Sequence, residues 1–351
     1  MDNVELKKRD FMNFFKRLKK VDNLIKRYFI DFIKKYVLRK QDLVIIRNSN
    51  IIVLEEMLKL HTNYLIGNNN DTAECVVFSM DRALQLHALL STYFEKVKNP
   101  VPIYVIWRAS SKEHKGAYDE VFDLFAKRNI YPIYQKYKSS FKDHLLSIIA
   151  NMKAEKILFL VDDIIFINEV DMLDFLQLDA HKMVGSLRLG CNLTKAYTVN
   201  KDQSLPPFIN NINCDNSKMM WVWEKGQYYW GYPLSLDGNM YLTKEIYILA
   251  RNIDFNSPNT FESNLQKYVK YFAHRIGICY RESKILNIPA NKVQNDFNNL
   301  HSHYHQDELL KAWKNGLQMD YNRFYGFRNQ SAHQEVEIIL KKRSNIAGDK
   351  I

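Results

Sequence analysis

An α/β fold, with a mostly parallel sheet covered by helices on both faces, is what the sequence predicts, and three observations predict it. From residue 74 onward, short β-type runs alternate with helical segments, the pattern of βαβ units whose strands lie parallel. The run KILFLV at 156–161 is continuously apolar from Ile157 onward rather than alternating, as a strand must be when helices bury both its faces. Glycine and proline are scarce, 11 and 8 in 351 residues, beside 46% hydrophobic and 25% charged residues. That composition excludes wholesale disorder and collagen-like or linker-rich architectures.

The elements follow in order. Residues 4–38 repeat apolar groups at helical spacing, among them Phe11, Phe14, Phe15, Leu18, Ile25 and Phe32, with Lys and Arg between them. Such a helix has one apolar stripe and one cationic face, and two readings stay open: it packs against the body of the protein, or it lies on an anionic membrane surface. Residues 42–66 read as a short strand and a helix, and the polar stretch Gly67-Asn68-Asn69-Asn70-Asp71 marks a boundary. Beyond it, ECVVFS (74–79) reads as a strand, 82–94 as a helix, VPIYVIW (101–107) as a strand and 113–127 as a helix. YPIYQKY is a weaker strand, and 141–152 is helical before the buried strand 156–161. The part from Asp307 to Lys342 reads as helices, from Leu309, Leu310 and Trp313 and then Val336, Ile339 and Leu340. The expected organisation is a basic helical region at 1–70, a catalytic domain at 71–300 and a helical extension at 301–351.

Charge and cysteine usage narrow the function classes. The net charge is +11, yet residues 1–40 alone carry 13 Lys/Arg against 5 Asp/Glu. A nucleic-acid binder would carry a basic stripe across the fold, so nucleic acid is not an expected partner. Cys75, Cys191, Cys214 and Cys279 form no CxxC pair, which points to neither a zinc module nor a disulfide scaffold and suits a reducing compartment. The opening MDNVELKKRD lacks the apolar core of a secretory signal. No apolar run approaches the roughly 18–20 residues needed to cross a bilayer. The expectation is a cytoplasmic protein, soluble or peripheral at the inner face of the membrane.

The strongest local signal is KILFLVDDIIF, where a buried strand ends in Asp162 and Asp163. Two adjacent like charges at a strand end need a cation or several donors to neutralise them. Mg²⁺ or Mn²⁺ shared with a diphosphate does this, because such ions commonly use one or two carboxylates plus phosphate oxygens. A solvated turn or an acid-rich helix N-terminus is the plain alternative. Arg82 and Arg188 each follow a predicted strand and could make bidentate contacts to phosphate, or simply pair with surface carboxylates.

A strand followed by acids of the DxD type, midway through an α/β chain, resembles the GT-A glycosyltransferases. The resemblance runs from about Cys75 to Val293 and is carried by order and spacing. VVFSMDRALQLHALLSTY is similar to the first nucleotide-binding strand and helix, HKMVGSLRLGCNLT to the strand after the metal site, and GYPLSLDGNMYLTKEI to the acceptor-side strand and helix. NSPNTFESNL stands at the "ED" position, and FAHRIGICYRESKILNIPANKV resembles the late strand pair. The sequence departs from the pattern in having an adjacent acid pair for the DxD and one acid, Glu262, for the ED. The resemblance implies a GT-A-type, Rossmann-like fold and a UDP- or GDP-sugar donor held by Ser79, Arg82, Asp162 and Arg188. It further implies a Mn²⁺ or Mg²⁺ ion on Asp163 and an inverting transfer to a glycan or lipid-linked hydroxyl. Glu262 matches the base, with Asp237 the alternative, although Asp237-Gly238 is also an ordinary turn pair. A third metal ligand would be a histidine from His301, His303 and His305, with His303 the candidate and a solvated loop the plain reading.

Residues 221–232, WVWEKGQYYWGY, hold three of the five tryptophans. Aromatic faces pack on the C–H faces of sugars, so Trp221, Trp223, Trp230 and Tyr232 are the candidate acceptor platform; a core segment is the other reading. Within the enzymes, a sugar-nucleotide nucleotidyltransferase also sets carboxylates and Mg²⁺ at strand ends. It would need an early Gly-rich phosphate loop, and FSMDRALQL has no glycine.

Overall fold

The computed structural model describes residues 48–64, 71–209, 217–289 and 305–343. The amphipathic segment 4–38, the short strand expected near residue 43, His301, His303 and the residues after 343 lie outside them. The chain divides into two compact units, Met1–Asn68 and Asn69–Ile351. In the first, helix α1 spans Asn48–Tyr64. Among the described residues no helix is long and apolar enough to cross a membrane.

The second unit begins with strand β1 (Ala73–Met80), helix α2 (Ala83–Lys96), strand β2 (Ile103–Arg108), helix α3 (Lys112–Leu124) and strand β3 (Ile130–Tyr134). Helix α4 (Phe141–Asn151) leads into β4 (Lys156–Val161), the short β5 (Ile164–Phe166), β6 (Met183–Ser186), β7 (Lys218–Val222) and β8 (Asn239–Leu242). Helices α5 (Thr243–Arg251) and α6 (Pro258–Leu265) precede β9 (Ile276–Tyr280) and β10 (Ile285–Asn287). The last elements are α7 (Gln306–Lys314), β11 (Leu317–Met319) and β12 (Leu340–Lys342).

Eight strands form one sheet in the order β7-β9-β6-β8-β4-β1-β2-β3. β1 lies between β2 and β4 and is parallel to both, and β3 is parallel to β2. β8 runs antiparallel between β4 and β6, β9 is parallel to β6, and β7 is antiparallel at the far edge. The mixed α/β architecture with a large, mainly parallel sheet is the expected one. β1 and β4 are buried almost end to end, because the sheet is covered on both faces and their Val, Ile, Leu and Phe side chains have no wet side. Ser111 caps α3 by accepting from the His114 N–H at 3.1 Å. Ser257 caps α6 with Pro258 in its first turn and Thr260 closing a reciprocal capping box.

The C-terminal segment corrects the all-helical expectation. Only Gln306–Lys314 is α-helical there; Gly316, at φ +73, ends it in the left-handed conformation glycine takes without penalty. Leu317–Met319 then pairs antiparallel with Leu340–Lys342. The misreading has a local cause. Glu335 to Ile338 alternates polar and apolar residues, the period of an extended chain, and Ile338 is buried while Glu335 and Glu337 are exposed. This segment passes over β10: Asn287 donates its N–H to Ala332 O at 3.0 Å and accepts at its own carbonyl from Gln334 N at 3.0 Å.

Candidate active site

A cleft of about 880 Å³ opens at the carboxyl ends of β1, β2 and β4, and Arg82, Asp163, Arg188, Asp237, Glu262 and His333 line it. Ligands in open α/β sheets bind in this position.

One wall is the end of β1 and β4. Asp162 is buried and accepts hydrogen bonds from Ser79 Oγ (2.8 Å), Met80 N (3.3 Å) and Arg82 Nη1 (2.9 Å). Ser79 Oγ also shares a 2.5 Å hydrogen bond with the Tyr118 hydroxyl. The same Arg82 nitrogen reaches Asp163 Oδ2 at 2.9 Å, and Asn287 Nδ2 donates to Asp163 Oδ1 at 2.9 Å. Burial works against the Arg82 charge, but Asp162 and Asp163 outweigh it and hold the guanidinium ionised. Asp163 is the unsettled member. Burial pushes its pKa up to about 6, only partly countered by Arg82, and Asp162 and Asp237 add further repulsion.

A shared metal fits this arrangement in charge. Among the described residues no group of three or more His, Cys, Asp or Glu could hold an ion by itself. Mg²⁺-type sites, however, take one or two carboxylates and complete their shell with phosphate and water. Asp163 lines the cleft, and the nearby Asp162 and Asp237 add negative charge that a cation would relieve. His305, the described member of the histidine triplet, instead caps α7 by accepting from Asp307 N.

The other wall is assembled from distant segments. Glu262, on α6, accepts from the Tyr232 hydroxyl at 3.0 Å and from Leu236 N at 2.7 Å. Burial, then the neighbouring Asp237, lifts its pKa to about 7. Asp237 sits in the turn before β8 and receives a hydrogen bond from His333 Nε2 at 2.9 Å. Burial would raise its pKa, but His333 and then Arg188 bring it below the usual carboxylate range. For His333 the signs reverse: burial lowers the pKa, and Asp237 with Tyr229 overrides it, to about 9. Arg188 is buried under Tyr229 and Tyr232, its guanidinium 5.3 and 5.8 Å from their ring centroids, and donates to Tyr232 O at 3.2 Å.

The tryptophan platform is not where the sequence suggested. Trp221, Trp223 and Trp230 have no exposed surface. Their rings pack edge to face, with centroids 4.7 Å (Trp221–Trp223) and 4.9 Å (Trp221–Trp230) apart, and Trp221 Nε1 donates to Trp230 O. Three large apolar rings bury more surface against each other than they could by lining water. Tyr232 does line the cleft, joined by Tyr228 and Tyr229. Ser79, Arg82, Asp162, Asp163, Arg188, Asp237 and Glu262 are brought together around one cleft. Sequence patterning points to neither His333 nor Asn287: the apolar spacing beyond His333 predicts a helix where the chain is extended, and Asn287 stands in no motif.

No protein-family model matches the chain. Over 256 residues it is 25% identical to the bifunctional glycosyltransferase pgtA of Dictyostelium discoideum, a match covering 64% of this chain and 32% of that relative. The chain resembles a glycosyltransferase. The likeness to glycosyltransferases is therefore found by comparison as well as in the motifs. The chain spans about a third of the length of this relative. Among solved structures, S. aureus TarS (1–349) is similar at a TM-score of 0.39 and 13% identity, covering 66% of this chain and 60% of that one. The Pyrobaculum calidifontis mannosyltransferase PcManGT, solved with GDP-Man and Mn²⁺, gives a TM-score of 0.29 and 10% identity over 39% of this chain and 44% of that one. Neither structural likeness is close enough to bear on the chemistry.

Proposed function

We propose that this chain is a glycosyltransferase that moves a sugar from a UDP- or GDP-type donor to a glycan or lipid-linked hydroxyl, with inversion at the anomeric carbon. One observation carries the reading. A single cleft joins a cation-bridged acid pair at the end of β1 and β4 to a carboxylate, Glu262, whose pKa is raised to about 7. The first suits a nucleoside diphosphate, and the second suits proton removal at neutral pH.

The residues divide the work. Arg82, fixed between two aspartates, supplies a preformed positive charge beside the phosphates, and preorganised charge costs little reorganisation when the leaving group departs. Asp162, with Ser79 and Met80 N, holds that guanidinium in place. Asp163 would hold Mn²⁺ or Mg²⁺, which when bound supplies further neutralisation of the leaving diphosphate. Glu262 receives the acceptor proton; Tyr232 and the Leu236 N–H aim its carboxylate. Asp237, ion-paired with His333, is the weaker base.

Thermal-shift titration with UDP-, GDP- and CMP-compounds, with and without Mn²⁺, tests the donor reading, with stabilisation by one nucleotide class expected. NMR of the product tests the stereochemistry. Retention of the donor's anomeric configuration would exclude a single inverting base.

A further inference from the structure

Tyr228 is the one residue of the aromatic segment whose ring stands out from the protein. It is 43% exposed, whereas Tyr229 and Trp230 beside it are 6% and 0% exposed. Its backbone is strained. With φ at +49 it occupies the left-handed region, which is unfavourable for a bulky residue and persists only where the surroundings enforce it.

Those surroundings are rigid. The Tyr228–Gly231 turn sits over the buried tryptophans, with Trp230 N donating to Gln227 O at 2.9 Å and Gly226 N to Trp223 O at 3.1 Å. The backbones at Gly226 and Trp230 approach so closely that a Cβ on Gly226 would lie 2.1 Å from Trp230 O. The neighbouring wall is tied in, because the Tyr229 hydroxyl accepts from Thr198 N at 3.1 Å. The scaffold thus holds a strained tyrosine outward at the cleft, four residues before the Tyr232 that orients Glu262.

We propose that Tyr228 is the acceptor-recognition residue of this cleft, offering its ring face to a pyranose ring whose hydroxyl is directed to Glu262. The proposal rests on the transferase reading of the site. A sugar suits the position better than an acyl chain, because the lining beside Glu262 carries the amides Asn256 and Asn259, which serve hydroxyls, while the tyrosine face serves C–H groups. The tryptophans contribute from beneath, as the base on which the turn is built.

The test titrates methyl β-glycopyranosides of glucose, galactose and N-acetylglucosamine by saturation-transfer NMR, in the presence of UDP or GDP. It compares wild type with Tyr228→Phe, Tyr228→Ala and Tyr228→Asn. At least one pyranoside is expected to bind wild type and Tyr228→Phe alike, and to bind Tyr228→Ala and Tyr228→Asn roughly two- to tenfold more weakly. Asn tolerates the left-handed backbone, so Tyr228→Asn should melt no lower than wild type while still losing the sugar. Nucleotide-induced thermal shifts should be the same in all four proteins. Equal sugar affinity in Tyr228→Ala, no binding of any pyranoside to wild type, or sugar loss that tracks a lowered melting temperature in Tyr228→Asn would overturn the proposal. Absence of any nucleotide shift in wild type would defeat the transferase reading separately, since the sugar titrations repeated without nucleotide still report on Tyr228.

Discussion

The two walls of the cleft are built in opposite ways. The wall at the end of β1 and β4 comes from two adjacent strands, and its polar groups lie within a few residues of each strand's last buried position. Ser79, Arg82, Asp162 and Asp163 meet because β1 and β4 pair in parallel register, Phe78 beside Val161. The facing groups Tyr232, Asp237, Glu262 and His333 come from three segments spread over about a hundred residues, joined by the hydrogen bonds Tyr232–Glu262 and His333–Asp237. The first wall holds its charge by direct ion pairing. The second keeps one carboxylate, Glu262, poised between ionised and neutral, chiefly by burying it and then by the nearby Asp237.

The largest effect is expected at Asp163. Asp163→Ala should lower transfer by roughly 10³-fold, the scale of losing a main electrostatic element of a transition-state site. It should also remove any Mn²⁺ dependence of nucleotide-induced thermal shifts, with the melting temperature kept or raised because a crowded acid is gone. Wild-type turnover in this variant without added metal would show that the acid pair is structural only.

On the other wall, Glu262→Gln should cut kcat by roughly 10²–10⁴-fold while nucleotide affinity stays close to wild type, since a base acts only as the transition state forms. Asp237→Asn belongs in the same assay. Should it silence transfer while Glu262→Gln remains active, the base is Asp237.

A smaller effect sharpens the contrast. Activity should rise with pH through about 7 as Glu262 ionises. Asp237 is among the groups that raise that value, so in Asp237→Asn the midpoint of kcat against pH should move lower. An unmoved midpoint would mean that the two carboxylates do not interact.

The smallest effect is on stability. The Glu262 pKa is higher in the folded chain, about 7 against an ordinary 4.5, so folding favours its neutral form. Its contribution is fully present below pH 4.5 and is lost as pH rises through 7. Glu262→Gln should therefore match wild type in unfolding free energy near pH 4.5 and exceed it at pH 8, by about 1 kcal/mol after allowance for solvent screening in the open cleft. A constant difference across that range would place the effect in packing.

By itself the sequence determined the α/β alternation, the buried strands and the acid pair at the end of 156–161, since each is written in residues close together in the chain. Strand burial follows from runs of apolar side chains, and a charged pair at a strand end is conspicuous without its neighbours. Only the tertiary structure decided what surrounds those charges: that Arg82 bridges both aspartates, that His333 arrives on an extended segment to occupy Asp237, and that Glu262 is lifted toward neutrality. It also separated the aromatic segment, burying Trp221, Trp223 and Trp230 and leaving Tyr228 outward. Composition is the same in both fates, because an indole serves a core and a cleft equally well. The choice depends on what packs against each face, and that is set by contacts between residues far apart in the chain.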